Sequence, residues 1–200
     1  SYSCDVRGLA HAFDFDTLAN ADEPLNLRRA ASEMLLMKQL INRERNWMTN
    51  YFATSIWDTE YTGVTNANND TALEVTQWDD YTNSTPIVDV TTAMRAMHLA
   101  SGGFRPNVMV VTRDVRDVLV NHPDILDRLN GGATVTNTAL VTDAKLAEIF
   151  GVESFLIVDA VYNTAKDGAT ESLSFVATKK AALYYRPRSP GLMVPSAVYN

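Results

Sequence analysis

The sequence predicts a mixed α+β fold, and three observations carry that prediction. The run from Pro24 to Phe52, PLNLRRAASEMLLMKQLINRERNWMTNYF, repeats apolar residues at helical spacing, with no Gly or further Pro to interrupt it. Val108 to Val111 and Ser154 to Val158 are short apolar runs bounded by turn residues, the mark of buried strands. From Ser172 the pattern becomes strand, turn, strand, with LSFVA and AALYYR on either side of TKK.

Residues 1 to 23 mix acids, small residues and aromatics without a period and read as a loop or extended segment feeding the long helix. Asp22 caps that helix, Glu23 sits at the positive end of its dipole, and Pro24 occupies a position where an amide hydrogen would lack a partner. At 1.5 Å per residue the helix spans roughly 40 Å, a spine by the scale of a small domain. Its apolar residues form two stripes: Leu27, Ala30, Met34, Met37, Ile41 and Met48 on one, Leu36, Leu40, Trp47 and Tyr51 on the other. Two stripes require two packing partners.

After the helix, VTNANNDTA is a loop, and order resumes near Val75. Ser84 or Thr85 caps a helix that begins with Pro86, buries Ile87, Val90, Met94 and Met97, and stops at Gly102-Gly103. The strand at Val108 leads into a short helix capped by Thr112 or Asp114 and ended by Asn121-His122-Pro123. Asp124 caps another, Ile125 to Leu129. NGGATVTNTALVT is a loop or hairpin, Asp143 to Phe150 a helix terminated by Gly151, and Ala160 to Thr170 a polar connection beyond the second strand. PRSPGLMVPSAVYN, with three prolines, is an extended arm or sheet edge.

Two hundred residues suffice for one or two domains and bury about 70% of the extended-chain surface. A net charge of −7 gives no support to general binding of nucleic acid or anionic membranes. The single Cys4 excludes an internal disulfide framework and argues against a zinc site. No apolar run approaches the length of a membrane span, and no signal-peptide pattern opens the chain. A first residue other than Met, and an end just after an apolar run, mark a processed or partial product.

Chemistry needs convergent groups, and the sequence does not assemble them. Gly102-Gly103 ends a helix instead of opening one after a strand, the reverse of a phosphate loop, and no G-x-S-x-G elbow exists. Asp79-Asp80 resembles a carboxylate pair, but neighbours on an extended chain face opposite ways. Asp14-Phe15-Asp16 lacks the Gly and terminal Glu of a calcium loop. His98 stands alone in sequence from His11 and His122. No cofactor or catalytic residue is implied. The long helix does carry a local excess of base, Arg28, Arg29, Lys38, Arg43 and Arg45 against Glu33 and Glu44, which suits pairing with an acidic segment such as 14 to 23 of a neighbouring subunit.

Three motifs in the second half, NHPDILDR, VDAVYNTA and PRSPGLMVPSA, occur in order and at matching spacing. With them the stretch from about Pro24 to Tyr199 resembles a family of tailed-bacteriophage major capsid proteins, whose members are similar to the Hong Kong 97 phage capsid fold. That resemblance implies residues 1–23 as the end of an extended loop or N-terminal segment and 24–84 as a peripheral domain on the spine helix 24–52. It also implies 85–163 as an axial domain with a central sheet flanked by helices, and 164–200 as the return to the peripheral sheet.

The function so implied is structural. The protein is no enzyme; it self-assembles as hexamers and pentamers into an icosahedral shell in the host cytoplasm and remains in the virion. It encloses double-stranded DNA without sequence-specific binding, and its partners include scaffold, decoration and portal proteins, with no membrane. An inner wall that is not strongly basic would let the genome pack without sticking. Arg28, Arg29, Leu40, Arg43 and Trp47 are the candidate subunit-interface residues. Two other readings stand beside it: an encapsulin-type compartment shell of the same fold, which houses an enzyme, and a small α/β enzyme, which needs a pocket with converging ionisable groups.

Overall fold

The computed structural model describes residues 8–20, 26–65, 67, 73–129, 141–166, 168–189, 191 and 193–196. In chain order the elements are α1 (Phe15–Ala19), α2 (Leu27–Tyr51), β1 (Thr62–Val64), β2 (Glu74–Thr76), α3 (Pro86–Ala100), β3 (Val108–Thr112), α4 (Arg113–Val120), α5 (Pro123–Leu129), α6 (Asp143–Phe150), β4 (Ser154–Val158), β5 (Val161–Asn163), β6 (Leu173–Phe175) and β7 (Ala181–Tyr184). They fall into two compact units, one within Ser1–Asn50 and Ala160–Val176, the other within Tyr51–Asp159 and Ala177–Asn200.

The second unit is built around β3. Its five residues are all buried because they sit at the centre of a sheet ordered β4-β3-β7, parallel to β4 from Val108↔Ser154 to Thr112↔Val158 and antiparallel to β7 from Val108↔Tyr184 to Val111↔Ala181. A continuous apolar run is what a strand covered on both faces requires. Met109 and Val111, two apart and so on one face, join a cluster with Ile87, Val90 and Met94 of α3, Leu119 of α4, Ile125 of α5, and Leu146 and Phe150 of α6. Burying a side chain of this size contributes about 1.5–3 kcal/mol, so this cluster dominates the unit's stability.

Polar residues close both ends of β3. At its start Asn107 donates its amide hydrogen to the Tyr184 carbonyl (3.2 Å) and accepts at its own carbonyl from Glu153 and Ser154 (2.9 and 3.1 Å). Its side-chain amide also pairs with the backbone of Arg186, accepting from N and donating to O, each at 2.8 Å. At the other end Thr112, fully buried, exchanges backbone and hydroxyl hydrogen bonds with Lys180. Lys180 Nζ reaches the Phe52 carbonyl. Lys179 holds a left-handed φ of 54° and donates its amide to Asp114 Oδ2 at 2.6 Å.

Several expected elements form where periodicity placed them: α3, β3, α4, α6 with Gly151 in the left-handed conformation (φ 66°), and β4. Others differ. α2 is described from Leu27, and Asn26 caps it by accepting from the Arg29 amide (3.1 Å); the capping assigned to Asp22, Glu23 and Pro24 falls outside the described residues. Neither Ser84 nor Thr85 caps α3 through its side chain: Thr85 holds the N-cap position without a side-chain bond, and Ser84 Oγ turns back to the Asp80 carbonyl. Thr112 stands at the N-cap of α4 with its hydroxyl committed to Lys180 instead. Asp124 does not cap α5; the helix begins at Pro123, and His122 Nδ1 accepts from the Asp124 amide (3.1 Å).

Val64, expected to open a loop, instead ends β1, which pairs in parallel with β2. The largest departure is at the C-terminal strands. LSFVA and AALYYR do not form a hairpin with each other, since β6 pairs antiparallel with β5, inside the expected polar connection, whereas β7 joins β3. Turn residues fix where a chain reverses, not which strand becomes the neighbour, and partners distant in sequence carry no local signal. The loop expected at NGGATVTNTALVT lies almost wholly outside the described residues.

In the first unit, α2 is a 25-residue helix of which Met48 alone is buried among the residues of its interior, and the hairpin β5–β6 is registered Val161↔Phe175, Tyr162↔Ser174 and Asn163↔Leu173. The two meet where the Arg45 guanidinium lies 4.9 Å over the centre of the Tyr162 ring, a cation–π contact. Asn163 Oδ1 closes the hairpin loop by accepting from the Ala165 and Ser172 amides (2.9 and 3.1 Å).

Candidate functional site: the exposed faces of the long helix

Leu36, Leu40, Arg43 and Trp47 lie at i, i+4, i+7 and i+11 and therefore share one face of α2; Arg29, seven residues before Leu36, continues it. On that face Leu40 is 58% exposed and Leu36 59%, Arg29 and Arg43 are exposed, and Trp47 is half-buried. Arg28 is exposed on an adjoining face. The structure thus brings four of the five interface candidates onto one line and leaves Arg28 beside it. Arg29 is tied to Glu33 through Nε–Oε1 at 2.9 Å, an exposed i,i+4 pair that stabilises the helix by only about 0.3–0.5 kcal/mol. The other stripe is also largely open, with Met34 and Met37 exposed and only Met48 closed off.

On the hairpin, Val161, Leu173 and Phe175 are also exposed large apolar side chains. Periodicity found the stripes on α2. It could not find the hairpin, whose three-residue strands are too short to show an alternation.

A constellation that imitates catalysis sits in the second unit. Ser84 Oγ and His122 Nε2 are 2.9 Å apart and both residues are buried, with Tyr81 edge-on to the imidazole at 5.5 Å. The hydrogen-bond directions run the wrong way for a nucleophile and base. A backbone N–H can only donate, so the Asp124 amide fixes His122 Nδ1 as an acceptor and the ring proton on Nε2. Nε2 then donates to Ser84 Oγ, whose own hydrogen goes to the Asp80 carbonyl at 2.6 Å. The imidazole holds the hydroxyl in place and takes no proton from it.

The neighbouring acids are equally structural. Burial raises the Asp89 pKa, an effect opposed by the Trp78 indole N–H donated to its Oδ2 at 2.9 Å. Burial likewise depresses the His122 pKa against the pull of Asp124 and Asp89. The Asn83 side-chain amide and the Thr82 and Asn83 backbone amides lower the Asp80 pKa, and the same bonds turn the chain sharply there, which explains the Asp79-Asp80 pair without chemistry. Sequence reasoning read His122 as part of a helix stop. The informative signal was a His directly before Pro at a helix start, a position where a ring nitrogen can replace a capping oxygen. Among the described residues no three His, Cys, Asp or Glu side chains gather as a metal site, and no helix is long and apolar enough to cross a membrane.

Comparison with known proteins gives these features a context. No family model matches the sequence. Over 112 residues, 56% of this chain, the sequence is 31% identical to the major capsid protein of Pseudomonas phage JBD67. The chain spans only 34% of that protein's length. The crystal structure of a phage-related protein from Bordetella bronchiseptica RB50 shares the fold, with a TM-score of 0.59 over 84% of this chain and 50% of that one, at 19% identity. The resemblance read from the motifs is thus found in an independent sequence match to a phage major capsid protein, and the mixed helix-and-sheet fold recurs in a phage-related protein.

Proposed function

We propose that the chain is the structural subunit of a tailed-phage capsid, in a Hong Kong 97-type fold, and that it self-assembles into the icosahedral shell around double-stranded DNA. The observation that carries this is the 31% identity to a phage major capsid protein over 112 residues. In this reading α2 is the spine helix of a peripheral domain over residues 24–84, preceded by the end of an extended loop in 1–23, and residues 85–163 are the axial domain. Residues 164–200 are the return to the peripheral sheet in this reading; within that span β6 pairs with β5, and β7 pairs with β3 in the second unit.

The apolar face of α2 with Leu40 and Trp47, flanked by Arg28, Arg29 and Arg43, is the contact between subunits of hexamers and pentamers. Individually modest interfaces of this kind close a stable shell by summation. The role is non-enzymatic and belongs to the virion after assembly in the host cytoplasm, with scaffold, decoration and portal proteins as partners. Electron microscopy of the purified full-length protein tests the proposal: closed shells, with or without added scaffold, are the expected result. Monomers that never close under either condition would sink it.

A further inference from the structure

At the β3 start, where Asn107 ties three strands together, the surface opens into a groove of about 670 Å³, within the roughly 300–1,000 Å³ range of ligand clefts. Its walls carry Arg105, Arg186 and Arg188 against the single carboxylate of Glu153, and an aromatic pair, Phe104 and Tyr185, with ring centres 5.2 Å apart. Arg188 has its side chain 91% exposed and touches Glu153 only at 3.9 Å. Gly151 opens the floor: a Cβ there would stand 3.3 Å from Arg105 Nη2, so the missing side chain lets that guanidinium lie against the groove. Three cations and one anion leave two positive charges, in a chain whose net charge is −7.

One segment of the chain has the complementary chemistry. Asp14-Phe15-Asp16 opens α1, a helix with no buried residue. Phe15 is 84% exposed, and Asp14 occupies the N-cap position without making a side-chain capping bond. We propose that Asp14-Phe15-Asp16 of a second copy of the chain docks in this groove, its two carboxylates on the Arg105, Arg186 and Arg188 guanidiniums and the Phe15 ring against Phe104 and Tyr185. Guanidinium forks match carboxylates geometrically, and an aromatic wall gives the ring a partner that a bare phosphate would leave unused.

The basic residues of α2 are a poorer receptor. Arg29 is bound to Glu33 and Arg45 lies on Tyr162. Arg28, Lys38 and Arg43 are then strung along the helix at intervals of about 15 and 7.5 Å, too far apart to converge on two carboxylates from one short turn. The contact is heterologous, one patch on a different patch, and so links copies head to tail as a ring requires. It deepens the shell reading by naming one of its contacts.

The test is a titration of the labelled, end-blocked peptide of residues 8–20 into the full chain, read by fluorescence anisotropy. Saturable binding is expected, weakened at least tenfold by R105E/R186E, by R105Q/R186Q and by F15A in the peptide, and regained when a D14K/D16K peptide meets the R105E/R186E chain. A thermal melt of each variant shows that it is folded. No binding of the unaltered peptide overturns the proposal. So does unchanged binding to R105Q/R186Q, loss in R28E/R43E instead, or capture of a DNA oligonucleotide in place of the peptide. Shell formation is scored separately by microscopy, so a failed docking contact and a failed capsid reading give different results.

Discussion

Leu146 and Leu40 are the same residue on two amphipathic helices, and one is fully buried while the other is 58% exposed. Leu146 belongs to an eight-residue helix that gets its partners from its own unit: β3, β4 and the helices packed on them. Leu40 belongs to a helix three times as long that leaves most of its apolar surface open. A short helix is not stable without tertiary packing, so α6 has to be buried to exist. A long helix propagates on its own hydrogen bonds and can hold an apolar face in readiness for a partner. Among the described residues the second unit therefore holds the buried core, whereas α2 keeps most of its apolar side chains exposed.

The largest expected effect lies on the buried side of that contrast. Leu146→Ala removes a side chain from the centre of the cluster and should cost about 2–5 kcal/mol of unfolding free energy in urea titrations. A loss below about 1 kcal/mol would show that the cluster collapses onto the cavity or that the unit is looser than its packing indicates.

The same contrast separates what the sequence makes legible from what it hides. Elements with a continuous apolar run or a 3.6 period, such as Val108–Thr112 and Pro86–Ala100, are readable because their burial is written locally. Pairing is not. Nothing within LSFVA or AALYYR says that one joins β5 and the other β3, because the choice is made by residues outside those runs, 10–14 positions away for β5 and 70 or more for β3. Capping is half legible: Gly151 does end α6 in the left-handed conformation, but at α5 His122 takes the capping role that the sequence assigned to Asp124. At the candidate site, helical phase placed Leu40 and Trp47 on one stripe, and Arg43, singled out only for its charge, falls on the same face. The Arg105–Arg188 groove stayed hidden because its walls come from three separate segments, 103–107, 151–153 and 185–188.

His122 gives the next effect, and its sign follows from burial. Its folded pKa is depressed below the ordinary value of about 6.5, so the unfolded chain binds the proton more readily. The stability it supports is complete above that value and is lost as pH falls from there through the depressed folded pKa. Asp89 acts in the opposite sense: raised above its ordinary value, it favours the folded state at low pH and loses that contribution as pH rises through its folded pKa. Urea midpoints of the wild type should therefore fall between pH 7.5 and pH 5.5 from the histidine, and H122Q should flatten that slope. Loss of the Ser84 and Asp124 hydrogen bonds should also lower its stability at pH 7.5 by about 1–3 kcal/mol. An unchanged slope in H122Q would assign the pH dependence elsewhere.

Smaller again is the cap of α2. Asn26→Ala removes the acceptor of the Arg29 amide and should cost about 1 kcal/mol, seen as fraying of the first turn in amide hydrogen exchange with the Leu146 region unaffected. Exchange that accelerates equally in both places would mean that α2 and the sheet unfold as one cooperative block.

The smallest effect on folding is the most informative. Leu40→Glu adds a carboxylate to an exposed position three residues before Arg43, where the helix tolerates it, so urea stability should change by no more than about 0.5 kcal/mol. If the apolar face of α2 is a contact between subunits, the same substitution places a desolvated charge at its centre and should abolish assembly, read by sedimentation and microscopy. Trp47→Glu is a less clean probe because the indole is already half-buried; it should lower both stability and assembly. The decisive ratio is therefore that of Leu40: assembly lost with folding intact. Assembly retained would leave Leu40 outside any subunit contact and confine the association surface to other residues.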